Sequence, residues 1–185
     1  MSWSEYQERT YRTKPQYLAV YIANNLEFNT IVDLGCGSGN ETVYLLKKGK
    51  QVTSVDAYLN EDYITSRITE EEQNNLHLIK SNIEDITIPK SDVIMSLFTL
   101  PFCNPEEFNN IWNKIKDSIN PGGYLVANLF GNRSHHASKQ IPVFTEEQVK
   151  ELLKDYTIIK WKEQEYQREL DDTHWHYFDF VAKKK

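Results

Sequence analysis

Two acids and three glycines have the residue types and spacing to do chemistry together in this 185-residue chain. Asp33 stands just before the run Gly35-Cys36-Gly37-Ser38-Gly39. Asp56 follows about 20 residues after the first glycine, the separation that brings an acidic side chain to a ribose at the tip of a neighbouring strand. Glycines remove side chains where a backbone must turn tightly and lie against a ligand. The apolar-rich Ile31-Val32 before them reads as a buried strand. Glu41 to Lys48 after them has a helical pattern that stops at Gly49, a suitable C-cap. A glycine loop between strand and helix is the context of a nucleotide-binding loop. Alone, Asp56 would read as a helix N-cap or a surface acid; its spacing from the glycines argues against that.

The order acid-x-Gly-x-Gly-x-Gly from Asp33 to Gly39 resembles the first motif of class I S-adenosylmethionine-dependent methyltransferases. Dinucleotide dehydrogenases more often carry Gly-x-Gly-x-x-Gly; here the third glycine comes one residue earlier and position 40 is Asn. The resemblance covers nearly all of the chain after about residue 15. It implies S-adenosyl-L-methionine as cofactor and S-adenosyl-L-homocysteine as product. It further implies that the backbone of Gly35, Cys36, Gly37 and Gly39 lies along the methionyl part. Asp33 would orient the loop and help hold the ammonium, while Asp56 would accept from the ribose hydroxyls. Contacts at Ala57 and Ser96 are implied as well. Asn82 stands where the family often has an Asp that accepts from the adenine amino group, and Ile83 would present its N–H and side chain to the ring. Beside these stand plainer readings: an Asx turn for Asn82 and a small buried filler for the Cys36 thiol.

Ligands of open parallel sheets bind at the carboxyl ends of the strands, and three segments should end there. Ser96-Leu-Phe-Thr-Leu-Pro-Phe-Cys103 lacks the Asn-Pro-Pro-aromatic motif of many amino-directed methyltransferases and the Pro-Cys of cytosine C5 enzymes. Phe98 and Phe102 are therefore expected to line the site of a small acceptor, with packing under the next helix as the competing reading for Phe102. Gly131-Asn-Arg-Ser-His-His136 offers Arg133 and His136 to the acceptor. His174-Trp-His176 offers His176, with His136 and His176 as candidate acid–base groups. Strand alternation puts His176 on a face with Phe178 and Phe180, where a histidine is more often a satisfied core residue. The histidines lack metal-ligand spacing, so no metal is expected. Trp3, with Tyr6, Tyr11 and Arg12, forms an N-terminal flap over the site, or else an ordinary amphipathic segment. The Leu-Pro-Phe-Cys loop and His-Trp-His strand are similar to small bacterial methyltransferases of the tellurite-resistance type. That likeness implies a soft anion, a small metabolite or a xenobiotic as acceptor.

The elements that must position these residues alternate strand and helix. Helices are expected over 15–26, 41–48, 60–68, 108–119 and from Thr145 to about 154; the polar stretch 69–75 has no clear pattern. Strands are expected near 30–34, 51–56, 76–79, 92–96, 124–130, 157–165 and 174–182, with Asn120-Pro-Gly-Gly123 stopping the helix before the fifth. A polar connection over 167–172 makes the last strand antiparallel. The expected fold class is α/β: a doubly wound, seven-stranded, mostly parallel sheet with an antiparallel last strand and helices on both faces. Residues 1–185 should form one methyltransferase domain, with 1–14 as the flap and 15–185 as a Rossmann-like core.

Composition narrows the function. The formal charge of −6 argues against an extended grip on nucleic acid. No apolar run nears the ~20 residues of a membrane span, and the start Met-Ser-Trp-Ser-Glu is not a signal peptide. Two cysteines without metal or disulfide spacing fit a reducing cytoplasm. With the resemblance, the expectation is a small-molecule acceptor and a monomer or dimer. Three rival readings remain: an RNA or protein methyltransferase, a non-catalytic cofactor-binding module, and a nicotinamide oxidoreductase on the same sheet.

Overall fold

A computed structural model describes residues 2–138, 140–168 and 172–185. Alternate strand positions face opposite sides of a sheet, and the strands here feed two cores. On β1 (Thr30–Leu34), Val32 and Leu34 enter one core and Ile31 the other. On β4 (Ser91–Ser96), Ile94 enters the first, while Val93 and Met95 enter the second. The first core receives Ile111, Trp112 and Ile115 of α6 (Phe108–Ser118) and Val149 of α7 (Glu146–Leu152). The second receives Leu18 and Ile22 of α2 (Tyr17–Asn25) and Leu45 and Leu46 of α3 (Asn40–Lys47). Helices therefore cover both faces, as the strand–helix alternation requires.

The remaining strands are β2 (Gln51–Asp56), β3 (Leu76–Lys80), β5 (Ile119–Phe130), β6 (Tyr156–Gln167) and β7 (His174–Lys184). Their order in the sheet is β3-β2-β1-β4-β5-β7-β6. Strands β1 to β5 pair in parallel, and β7 runs antiparallel to both β5 and β6. The order reverses between β1 and β4, which opens a crevice at their carboxyl ends.

Several boundaries differ from the sequence expectation. The helix expected over 60–68 is a single turn, α4 (Asp62–Thr65), whose Ile64 is buried against the glycine loop. The polar stretch after it forms α5 (Glu70–Gln73), held by a capping box between Thr69 and Glu72 and by three glutamates at its positive end. The fifth strand begins at Ile119, not Tyr124, because Asn120–Gly123 stays in the sheet as a bulge. Gly122 takes a φ of +74° there, and the Asn120 amide donates to Asp92 at 2.9 Å. The N-terminal segment contains a helix, α1 (Trp3–Thr10), with a capping box from Ser2 and Glu5. Residues 169–171 of the polar connection lie outside the described residues. Among the described residues no helix is long and apolar enough to cross a membrane.

Candidate active site

The glycine loop is shaped by backbone demand. Gly35 has a φ of +76°, and a Cβ there would collide with the Thr99 side chain. Gly37 has a φ of +54° and nothing within 4 Å of where a Cβ would stand, so its open side is room for a ligand. The Gly35 and Cys36 N–H groups donate to the Val55 carbonyl at 2.7 and 3.0 Å, which ties the loop to β2. Gly39 is the left-handed N-cap of α3.

Asp56 closes this arrangement. Its Oδ2 accepts from the Gly37 N–H at 2.9 Å; its Oδ1 accepts from the Tyr58 N–H at 2.8 Å and from the Gln7 amide at 3.2 Å. Asp33 lies buried behind the loop, where its Oδ2 accepts from the Thr42 hydroxyl at 2.8 Å. Burial, reinforced by the nearby Glu41 and Asp56 charges, pushes the Asp33 carboxyl up to about 8. Burial likewise raises Glu41, and it raises the Cys36 thiol, which fits the buried-filler reading of that side chain.

A cavity of about 320 Å³ opens over the loop, a size within the ~300–1,000 Å³ of small-molecule sites. Gly35, Cys36, Gly37, Asp56, Ala57, Asn82, Ile83, Phe98, Phe102 and Trp3 all border it, so most of the residues singled out in the sequence come together. Asn82 sits in a turn in which its amide donates to Asp85 at 3.0 Å, leaving Oδ1 as the acceptor it has to offer. Asp33 and Gly39 support the loop from behind. Ser96 does not reach the cavity: it is buried in the sheet opposite Ala127.

Residues that the sequence did not single out also border the cavity. Gln7 is buried on α1 and reaches Asp56, and Lys14, Glu41 and Glu84 supply charge. A lone glutamine on a short polar helix carries no sequence signal for such a role. The N-terminal segment is fastened through Tyr11, stacked on Tyr63 at 4.6 Å with the Arg67 guanidinium 4.9 Å from its ring. Asn40 adds a hydrogen bond to the Thr10 carbonyl at 2.7 Å.

Aromatic rings form the outer wall. Phe98 has a φ of +54°, an outlier for a bulky residue, and its N–H donates to Asn128 Oδ1 at 2.7 Å. Such a backbone costs about 1–3 kcal/mol and persists only where its surroundings fix it. The Phe98 ring meets Tyr177 at 5.3 Å, and the Phe102 ring meets Trp3 at 5.5 Å and Phe130 at 5.3 Å.

The histidines and Arg133 depart from expectation. His136 packs face-on to Phe130 at 4.4 Å and edge-on to Phe102, behind the wall rather than at the cavity. His176 is fully buried, with its Nδ1 accepting the Arg133 backbone N–H at 3.1 Å. That bond leaves the ring proton on Nε2, which sits 2.9 Å from Glu163. Both ring nitrogens are thus committed, and a buried imidazole with no lone pair to offer is no general base. Glu163, Glu165 and His176 cluster closely enough to suggest a metal, but Nε2 cannot ligate while it carries that proton. Arg133 already fills the cationic position, with its guanidinium 2.6 Å from Glu163 and 2.7 Å from Glu165. These contacts hold both carboxyls low, Glu165 at about 2. Strand alternation explains the miss: it put His176 on the Phe178 face correctly, and that face is core.

A glycine loop after β1, an acid at the β2 tip and a seven-stranded sheet with one antiparallel strand define the class I S-adenosylmethionine-dependent methyltransferase fold. The chain belongs to the TehB family: the family model described as tellurite resistance protein TehB matches residues 3–176. It is 29% identical over 143 residues to the probable S-adenosyl-L-methionine-dependent methyltransferase TehB of Haemophilus influenzae, covering 72% of this chain and 48% of that protein. The chain thus spans about half the length of the curated relatives it matches. The crystal structure of TehB from Haemophilus influenzae superposes with a TM-score of 0.77 at 25% identity, covering 100% of this chain and 68% of the other. The 1,6-didemethyltoxoflavin-N1-methyltransferase of Burkholderia thailandensis, crystallised with 1,6-didemethyltoxoflavin and S-adenosylhomocysteine, shares the fold. It gives a TM-score of 0.69 at 20% identity over 92% of this chain and 77% of its own.

Proposed function

We propose that this chain transfers the methyl group of S-adenosyl-L-methionine to a small-molecule acceptor and releases S-adenosyl-L-homocysteine. The observation that carries the reading is Asp56, bonded to the Gly37 N–H beside the open space over that glycine. The site also suits the charge of the cofactor, whose sulfonium supplies an already reactive methyl group. Asp33, Glu41 and Asp56 converge there, and no described salt bridge engages any of them. In this reading the 35–39 loop, Asp33, Asp56, Ala57, Asn82 and Ile83 hold the cofactor, and Trp3, Phe98 and Phe102 face the acceptor. The chain's main task is alignment of acceptor atom, methyl carbon and leaving sulfur. Residues 1–185 act as one unit closed by the flap. A cytoplasmic setting fits the two cysteines, both buried and free.

Calorimetry with S-adenosylmethionine, S-adenosylhomocysteine and NAD tests this reading. Both adenosyl compounds should bind and NAD should not, and S-adenosylhomocysteine should be released when an acceptor panel is supplied. NAD binding without either adenosyl compound would reject it.

A further inference from the structure

We propose that Asn128 is a positioning residue for the reaction: braced by Asp179, it holds Phe98 in its left-handed backbone and so sets the 97–99 turn beside the cavity. The inference rests on the methyl-transfer reading and adds to it a residue that does not itself border the cavity. Three observations converge, beginning with the slack around Phe98. The residue stands between two spaces, the cavity of about 320 Å³ and a void of about 40 Å³ on its other side. Tyr177 and Trp175 meet its ring edge-on at 5.3 and 6.1 Å, but a side chain beside a void is not held by packing alone. Its φ of +54° is one that a bulky residue leaves when nothing restrains it. The restraint is the 2.7 Å bond from the Phe98 N–H to Asn128 Oδ1.

The second observation is what orients the Asn128 amide. Asn128 on β5 stands directly opposite Asp179 on β7, and both are buried. The Asp179 carboxyl accepts from the Tyr17 hydroxyl and the Gln164 amide, both at 2.9 Å. Nδ2 of Asn128 is buried without a full hydrogen bond of its own and faces that carboxyl, whose charge it helps to stabilise. A carboxylate only accepts, so it selects the NH2 side of the amide and leaves Oδ1 turned to Phe98. Flipped, the amide would set its NH2 against the Phe98 N–H and its oxygen against a carboxylate. The third observation is the reach of the turn. The Thr99 side chain fills the space that a Gly35 Cβ would need, and its hydroxyl donates to the Gly35 carbonyl at 3.3 Å. Residues 97–99 therefore bear on the glycine loop, and a Phe98 released by Asn128 would loosen wall and loop together.

S-adenosylhomocysteine is the probe, its affinity read by calorimetry and the Phe98 amide by hydrogen exchange. That amide should be protected in the wild-type chain and lose its protection in Asn128→Leu. Asn128→Ala should weaken binding at least about fivefold, the size of one lost hydrogen bond. Asn128→Leu keeps the sheet filled but offers no acceptor, and it should weaken binding to the same extent. A merely structural role would make either substitution equally harmful whatever stands at position 98. Positioning through Phe98 predicts coupling instead. Glycine takes a positive φ freely, so in a Phe98→Gly background either Asn128 substitution should weaken binding less than about twofold. An unprotected Phe98 amide in the wild type, unchanged affinity in a folded Asn128 variant, or the same loss in both backgrounds would overturn the proposal and leave methyl transfer standing. Failure of S-adenosylhomocysteine to bind the wild-type chain would overturn the methyl-transfer reading and this role within it alike.

Discussion

Two groups of carboxylates stand beyond the sheet, and they are built for opposite purposes. Asp33, Glu41 and Asp56, around the ends of β1 and β2, take hydrogen bonds from neutral donors, and no salt bridge among the described residues reaches them. Burial raises Asp33 to about 8. Glu163 and Glu165 on β6 already hold Arg133, His174 and His176, and the Arg133 contacts lower Glu165 to about 2. A carboxylate that is hard to ionise gains most from an incoming cation. In the proposed function Asp33 and Glu41, both raised by burial, would therefore gain from the cofactor's positive charge. The second group already has its cation and acts as a clamp, tying the loop after β5 to β6 and β7.

The largest effect should follow from breaking the first group. Asp56→Ala should weaken S-adenosylhomocysteine binding by about 2–4 kcal/mol, because hydrogen bonds to charged acceptors contribute ~1.5–3 kcal/mol each and overlap. The unliganded protein should also melt earlier, since the Gly37 and Tyr58 N–H groups lose their acceptor. Asp56→Asn keeps one acceptor oxygen but turns an NH2 towards the other N–H donor, so it should recover only part of the stability and little of the affinity. Calorimetry and thermal melting on the same preparations check both. Unchanged affinity in folded Asp56→Ala would dissolve the contrast between the two groups.

Next comes His176, the buried member of the clamp. His176→Ala removes a ring packed 5.0 Å from Phe178 and leaves the Arg133 N–H without its acceptor. A loss of about 2–4 kcal/mol follows from the cavity and the orphaned donor. In a chain of this size that is roughly 5–15 °C of melting temperature. Turnover per folded molecule and S-adenosylhomocysteine affinity should stay within about twofold of wild type, outside the 10²–10⁴-fold range of acid–base groups. A normal melting temperature with turnover down tenfold would return His176 to the chemistry.

The same contrast explains what the sequence could and could not show. Gly35 and Gly37 are legible because a positive φ and a close approach can be met by few residue types, so the requirement is written in the residue itself. The doubly wound α/β class and the antiparallel β7 follow from hydrophobic period and connection length. The clamp is not legible: that Arg133 turns to Glu163 and Glu165 rather than to the cavity depends on the β6–β7 register, which pairs Glu165 with His176 and Gln167 with His174. No local pattern encodes that pairing. Gln7 was missed for a related reason. Its partner Asp56 lies 49 residues away, and nothing in α1 distinguishes it from the surface glutamines.

The last contrast is in pH dependence, where the two groups should pull in opposite directions. Asp33 is raised from an ordinary 3.8 to about 8. Between those values the folded chain keeps a proton that the unfolded chain releases, so the stability it contributes is full below pH 3.8 and is lost as pH rises through 8. Asp33→Asn should therefore gain on wild type in melting temperature towards pH 8. Bound S-adenosylmethionine should narrow that gap, because a nearby positive charge favours the wild-type carboxylate. Glu165 is lowered from 4.5 to about 2. Its contribution is present above pH 4.5 and fades as pH falls towards 2. Arg133→Gln should thus melt slightly below wild type at neutral pH and converge with it in acid, with no dependence on S-adenosylmethionine. The difference should be small because Arg133 and its partners are solvent-screened. A ligand-dependent shift in Arg133→Gln would mean that the clamp communicates with the cavity and that the two groups are not independent.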